Sequence, residues 1–375
     1  MTDSELQDDV IKTDKDTAEE DSGDSGGLYP YDPTQADIDI RDESQTVFEL
    51  LRKYDNGKLI TDPDFQRNVI WDIQKQSQFI ESVILNFPLP PFYLNQTKDG
   101  KLIIVDGLQR TTALHEFVND KFQLIGLQAL TNLNGHNFSE LKKISGDYET
   151  RIEDKKLYIY LIKPSVPGKV VYDIFNRINT AGTKLERQEV RNCIFSGKST
   201  KLLKELSEKE YFQKAIDNGV SPKRMKDREV ILRYLAFKLF DYENDYKGDM
   251  SDFVERAMKK INLMNDRDID LLKNDFERVM NLTFEFFGHK NFRLPSGQNR
   301  GRINIAIFES VCYFLSARSD EFLQSHKKSI QDNFIKLLEN SAYFDAIKYS
   351  TSSKSKVITR FKLAQDILGD VENAN

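Results

Sequence analysis

The chain is poor in residues that build metal and disulfide frameworks, with only Cys193 and Cys312, and His115, His136, His289 and His326. Two cysteines so far apart exclude a disulfide scaffold and a zinc site of paired-cysteine type. The four histidines are isolated from one another, and His289, inside FFGHKNF, reads as a turn or helix-end residue rather than a ligand. Long apolar runs are missing as well. The longest, VILRYLAFKLF at 230–240, is interrupted by Arg233 and Lys238, whereas a membrane-spanning helix needs roughly 20 apolar residues. The first residues are acidic and polar, unlike the basic and then apolar start of a secretory signal. Together these absences predict a soluble, cytoplasmic protein with no membrane partner.

What is present supports a substantial core. Hydrophobic residues make up 39% of the 375 positions and include 25 Phe and 15 Tyr, enough for two domains or one large one. Charge is unevenly spread. Residues 1–27 carry ten acids against Lys12 and Lys15, a net of −8, so the total of −6 divides into this leader and a body of +2. The leader has almost no aromatic or β-branched residues and ends in SGDSGG, a composition that predicts a disordered acidic tail. A nearly neutral body neither requires nor excludes nucleic acid, because binding depends on local patches.

Element signals follow along the body. Ser44 precedes an amphipathic run with Val47, Leu50 and Leu51 that ends at Asn56-Gly57, a pattern for a short capped helix. ITDPDFQRNVIW at 60–71 is extended, because Pro63 opposes a helix there. In 73–87, Ile73, Ile80, Val83, Ile84 and Phe87 share one side of a helix that Pro88, Pro90 and Pro91 stop. PFYLN and KLIIV flank Lys98-Asp99-Gly100 and read as paired strands, and LYIYLIK at 157–163 reads as another. From about residue 200 the periodicity is mostly helical, and INIAIFESVCYFL at 303–315, apolar nearly all round, reads as a core helix. No internal repeat is visible.

IIVDGLQRTTALHEF, residues 103–117, carries the most chemistry. Ile103, Ile104 and Val105 end a buried strand, Asp106-Gly107 breaks it, and Leu108, Ala113, Leu114 and Phe117 start a helix at once. A strand that turns directly into a helix aims unpaired N–H groups outward, a setting that attracts anions. Gln109, Arg110, Thr111 and Thr112 add one guanidinium and three neutral hydrogen-bonding groups that would suit a phosphate. The alternative is an ordinary strand-to-helix turn whose arginine pairs with a nearby carboxylate.

A second polar cluster, YDIFNRINTAGTKLERQEVRN, spans 172–192. Thr183 followed by Glu186 is a capping-box pattern that predicts a helix from Lys184, with Asn176, Asn179 and Gly182 in the loop before it. The asparagines either satisfy that loop's own backbone or fold over the helix start at Arg110. Two basic stretches, Lys223, Arg224, Lys226 and Arg228, and Arg293, Arg300 and Arg302, are candidate DNA contacts, although such runs are more often solvated faces.

Four motifs, PDFQRNVIW, IESVILNFPLPPFYLN, IIVDGLQRTTALHEF and IFNRINTAGTKLERQEVRN, stand in the order seen in domain-of-unknown-function family 262, the N-terminal module of GmrSD-type, modification-dependent restriction enzymes. The resemblance covers residues 40–197, and the helical remainder looks like members that lack a nuclease domain. It implies an α+β fold of the ParB/sulfiredoxin type, a small mixed sheet with helices, followed by a mostly α-helical domain. The expected division is 1–27 as tail, 28–197 as nucleotide-binding domain and 198–375 as helical domain.

The family's DGQQR motif in nucleoside triphosphate binding and hydrolysis corresponds here to Asp106, Gly107, Leu108, Gln109 and Arg110. The resemblance implies catalytic roles for Asp106, Gln109 and Arg110, with Asp106 on the Mg²⁺ that accompanies the nucleotide. It implies nucleotide contacts for Gly107, Thr111 and Thr112, for Gln66 and Arg67 from the first motif, and for Asn176 and Asn179. Leu108 replaces a glutamine and can neither donate nor accept, which weakens turnover more than binding. It also replaces the cysteine that sulfiredoxin chemistry requires, so sulfinic acid reduction is not expected. No histidine stands in the Asp-His-x-x-Pro setting of the HNH-like nuclease carried by larger relatives, so the chain is not expected to cut DNA by itself. The resulting expectation is a nucleoside triphosphate-binding and hydrolysing sensor module in defence against foreign DNA, with DNA and a separate nuclease or effector chain as partners. The alternative is a non-catalytic DNA-binding or protein-interaction module.

Overall fold

The computed structural model describes residues 38–60, 71–97, 99–144, 146–166, 170–171, 173–174, 177, 186–294 and 301–371. They divide into two compact units, one ending at Ser196 and the other running from Gly197. Gln66, Arg67, Asn176, Asn179, Gly182, Thr183, Arg300 and the acidic tail lie outside the described residues.

The first unit is built on a five-stranded mixed sheet. Its strands are β1 (Ile40–Thr46), β2 (Leu59–Ile60), β3 (Phe92–Gln96), β4 (Leu102–Asp106) and β5 (Lys156–Ile162), in the order β1-β5-β3-β4-β2. β1 with β5 and β3 with β4 run antiparallel, while β3 with β5 and β2 with β4 run parallel. The expected pairing of PFYLN with KLIIV is therefore present. β4 reads as one apolar run, LIIVD, because both of its faces are covered. Leu102 and Ile104 join Phe92, Leu94, Leu157, Ile159 and Leu161 in a core beneath helices α1 (Val47–Asp55), α2 (Ile73–Ile84) and α3 (Leu108–Val118). Ile103 and Val105 face the other way and meet Ile162, Val166, Val170, Val171, Val190 and Cys193.

Several local details differ from the sequence-based expectation. Ser44 does not cap α1. It pairs with Tyr158 inside β1, and Thr46 caps instead, its hydroxyl accepting from Glu49 N–H at 3.2 Å while the Glu49 carboxylate accepts from Thr46 N–H at 2.9 Å. Backbone pairing with β5 continues up to the helix, so the cap moves two residues on. Ile73 and Phe87 are about half exposed rather than on the buried side of α2, because the helix begins at Ile73 and ends at Ile84, leaving both residues at or beyond its ends. The helix expected from Lys184 begins at Arg187, where Glu189 accepts from Glu186 N–H at 2.7 Å. The polarity of α2 has a specific use: the buried Glu81 carboxylate accepts N–H bonds from Gln128 (3.2 Å), Ala129 (2.8 Å) and Leu130 (2.8 Å), fixing a long loop to the helix.

In the same unit, short helices α4 (Phe138–Leu141) and α5 (Tyr148–Glu153) precede β5, and α6 (Arg187–Ile194) closes the unit. The second unit is helical among its described residues. Its main helices are α7 (Lys198–Ser207), α8 (Glu210–Ala215), α9 (Lys226–Leu239), α10 (Met250–Leu263), α11 (Asp266–Phe287), α12 (Ile305–Ser316), α13 (Asp320–Ser325), α14 (Lys327–Glu339), α15 (Ser341–Lys348) and α16 (Lys354–Gly369). As expected, α12 is core, packed by α9, α11 and α16. It carries a buried charge. Glu309 meets Arg360 of α16, each 1% exposed, and Arg233 of α9 at 3.3 Å. A carboxylate so enclosed is tolerated because two guanidiniums face it. Glu309→Ala, which strands Arg360 in the core, is expected to lower unfolding free energy by about 3–5 kcal/mol in urea titration, whereas the double replacement Glu309→Leu with Arg360→Met is expected to recover most of that loss.

Candidate functional site

The turn from β4 into α3 depends on one residue that has no side chain. Gly107 takes φ 105° and ψ 7°, a left-handed conformation that L side chains rarely adopt. A Cβ there would lie 2.3 Å from the Phe92 ring, so the backbone runs directly over that ring. Thr111 N–H donates to Gly107 O at 2.8 Å and closes the first helical turn. The N–H groups of Leu108, Gln109 and Arg110 precede that bond and have no partner among the described residues. They form the electropositive end of an eleven-residue helix.

The side chains of the turn divide into outward and inward groups. Arg110 is turned back. Its guanidinium lies 4.3 Å over the Phe92 ring, donates to Pro90 O and to Pro91 O (3.2 Å), and pairs with Asp106 Oδ2 at 2.8 Å. It is 8% exposed, and burial lowers its pKa while Asp106 opposes the shift. The carboxylate pairing named as the alternative from sequence is thus present. Thr111 is fully buried, and its hydroxyl bonds to Gly107 O at 3.0 Å, so it is a helix-internal group rather than one presented to a ligand. Thr112 is half-buried. Asp106 is half-buried too, with Oδ1 left free of Arg110.

Gln109 links two of the sequence motifs. Its Oε1 accepts from Trp71 N–H at 3.1 Å, and Gln76 Nε2 donates to Trp71 O at 3.1 Å. Trp71 ends the PDFQRNVIW motif, so the end of the segment carrying Gln66 and Arg67 is fixed to the start of α3. Residues 47–196 match the model of one protein family, the GmrSD restriction endonuclease, N-terminal domain. This segment is similar to a GmrSD N-terminal domain. No curated protein and no solved structure matches the chain.

Within the matched segment, Leu108 packs against the core beside α1–α3, which gives its apolar side chain a physical reason. Sequence reasoning missed Phe92, whose ring supports both Gly107 and Arg110, and Trp71, the partner of Gln109. It also missed the buried polar face of α6, comprising Gln188, Glu189, Arg191 and Asn192. Strand alternation could have marked Phe92 as inward-facing, but nothing in its spacing marks it as the surface under a glycine. The basic stretches lose members to structure. Arg228 and Arg293 are buried, and Arg293 donates to Gly301 O and to Ile216 O (3.2 Å), so it binds its own chain. His289, in a single turn after α11, sits 3.3 Å from Asp217, in keeping with a helix-end role.

Gly107→Ala combines a strained φ with overlap on Phe92. It is expected to destabilise the domain by about 2–4 kcal/mol in denaturant titration, and Phe92→Leu with Gly107→Ala should recover only the overlap part.

Proposed function

We propose that the GmrSD domain of this chain binds the phosphates of a nucleoside triphosphate at the start of α3 and hydrolyses it, as the sensor module of a GmrSD-like defence system against foreign DNA. The observation that carries this reading is the set of three unpartnered N–H groups at Leu108, Gln109 and Arg110, beside Asp106, at a turn that Gly107 holds against Phe92. The position, at the carboxyl end of a strand that turns into a helix, fits the nucleotide site of the ParB/sulfiredoxin type that the motifs imply.

On this reading the residues of the turn take distinct roles. The free Asp106 oxygen would hold Mg²⁺, and Gln109, anchored through Oε1, would direct its Nε2 toward the attacking water. Arg110 would act mainly as a positioning residue, fixing Asp106 and the Pro90-Pro91 loop. Gln66, Arg67, Asn176 and Asn179 enter this reading from the motifs alone, as groups that close over the nucleotide, and Thr112 as a contact in the first turn. Among the described residues no three His, Cys, Asp or Glu gather as a metal cluster. That suits Mg²⁺, which commonly takes one or two carboxylates and completes its shell with phosphate oxygens and water. Bound there, the ion would neutralise charge on the phosphates.

One observation favours a second reading, a non-catalytic DNA-binding or protein-interaction module that works with a separate nuclease chain. Leu108, packed against the core in place of a glutamine, and Arg110, bonded to its own loop, leave the turn without two polar groups that a hydrolytic site would use. Equilibrium binding of ATP, GTP, CTP and UTP with Mg²⁺, with phosphate release measured alongside, separates the readings. Binding that falls at least tenfold in Asp106→Asn and in Arg110→Ala, with circular dichroism unchanged, is the expected result. Absence of binding by any triphosphate, together with DNA affinity that drops steeply with salt, would replace it with the second reading.

A further inference from the structure

We propose that Tyr93 and Tyr160 form the platform on which the base of the bound nucleotide stacks; this rests on the phosphate site proposed at α3. The strand register places a row of residues across the sheet at the end where α3 begins. Asp106 of β4 pairs with Tyr93 of β3, Tyr93 with Tyr160 of β5, and Tyr160 with Asp42 of β1. Tyr93, Tyr160 and Asp42, paired in regular register, project from the same face, while a register shift between Tyr93 and Leu94 brings Asp106 beside Tyr93 at the end of β4. This face is opposite the one that α1–α3 cover, since Phe92 and Ile159, the neighbours of Tyr93 and Tyr160, point into that core.

Further along the same face, Ile103, Val105 and Ile162 are buried under Val166, Val170, Val171 and Val190. Toward the helix start the cover by described residues gives out. Tyr93 is half-buried, Tyr160 is 39% exposed and Tyr158 is 68% exposed. The Tyr93 and Tyr160 rings lie 5.1 Å apart at 26°, a stacked pair held upright by its own contact. Two strand spacings of about 4.8 Å separate β4 from β5, so the aromatic pair begins about 5 Å, and ends about 10 Å, from the strand that feeds the helix. That is the span between the phosphates of a nucleotide and its base.

Charge favours the same occupant. Carboxylates stand at both ends of the row, Asp106 beside Tyr93 and the exposed Asp42 beside Tyr160. They oppose a second run of phosphates along the rings and leave the polyanion only the helix start. A neutral aromatic ring on the tyrosines and a phosphate chain at the N–H groups satisfy both ends, whereas the backbone of a nucleic acid strand laid across the row would meet like charge. Stacking on tyrosine needs no particular base edge, so the platform accepts purines and pyrimidines alike.

The test compares two probes on the full chain with Mg²⁺, 2-aminopurine riboside triphosphate and inorganic tripolyphosphate, in the native protein and in Tyr160→Ala and Tyr160→Phe. Tyr160 is part-exposed, so neither change removes core. The expected result is fluorescence quenching of the aminopurine on binding, lost in Tyr160→Ala with a fall in affinity of about tenfold or more, kept in Tyr160→Phe, and tripolyphosphate affinity equal in all three. Unchanged triphosphate affinity in Tyr160→Ala, or an equal loss for both probes, overturns the platform while leaving the phosphate site standing. Failure of the native chain to bind either probe overturns both.

Discussion

The domain that carries the candidate site depends on the contact between one glycine and one phenylalanine ring. Gly107 at φ 105° passes over Phe92, and the same ring carries the Arg110 guanidinium at 4.3 Å. Three constraints meet there. The left-handed turn permits β4 to become α3 without an intervening loop, the ring sets how near the helix start lies to β3, and the guanidinium closes the arrangement onto the Pro90-Pro91 carbonyls and Asp106. Because these contacts fix the backbone, the three leading N–H groups of α3 are held in place. Preorganised donors of this kind bind anions with little reorganisation.

The same arrangement explains how the arginine of the Asp106–Arg110 motif is spent inside the protein. A guanidinium has five donors in a fixed fork, and the carbonyls of Pro90 and Pro91 accept from two of its nitrogens. Burial on an aromatic ring with a carboxylate at 2.8 Å keeps the charge neutralised. The chemistry offered outward then shifts to backbone N–H groups and to Asp106, which is half-buried. Gln109 extends the fixed region to Trp71, so the first and third motifs meet at one hydrogen bond although 38 residues separate them.

Buried charge serves a different purpose elsewhere. Glu81 satisfies three backbone donors of a loop that otherwise has no regular pairing, and Glu309 holds α9 and α16 to α12 through two arginines. In both cases a carboxylate replaces apolar packing where the chain has polar groups to satisfy, and removal of the carboxylate leaves those groups unpaired.

Much of the fold was determined by the sequence alone, for local reasons. Period-two and continuous apolar runs set β3, β4 and β5, the tight turn around Gly100 set their pairing, and 3.6-residue periodicity set α2, α3 and the helical second unit. The Asp106-Gly107 break was legible because a glycine directly after an apolar strand favours a turn over continued pairing. Cap positions were not legible to the residue. Both Ser44 and Thr46 can cap, and only the reach of the β1–β5 ladder selected Thr46; the start of α6 moved from Lys184 to Arg187 for lack of any local signal that separates overlapping Thr-x-x-Glu and Glu-x-x-Glu patterns. Side-chain direction at the site was decided wholly by tertiary structure. Thr111 and Arg110 follow Gln109 on one helical turn, and composition cannot say which of them faces out, because that depends on the rotation of α3 against Phe92 and the Pro90-Pro91 loop. Nor could spacing place Tyr93, Tyr160 and Asp106 side by side, since strand register joins residues that lie up to 67 positions apart.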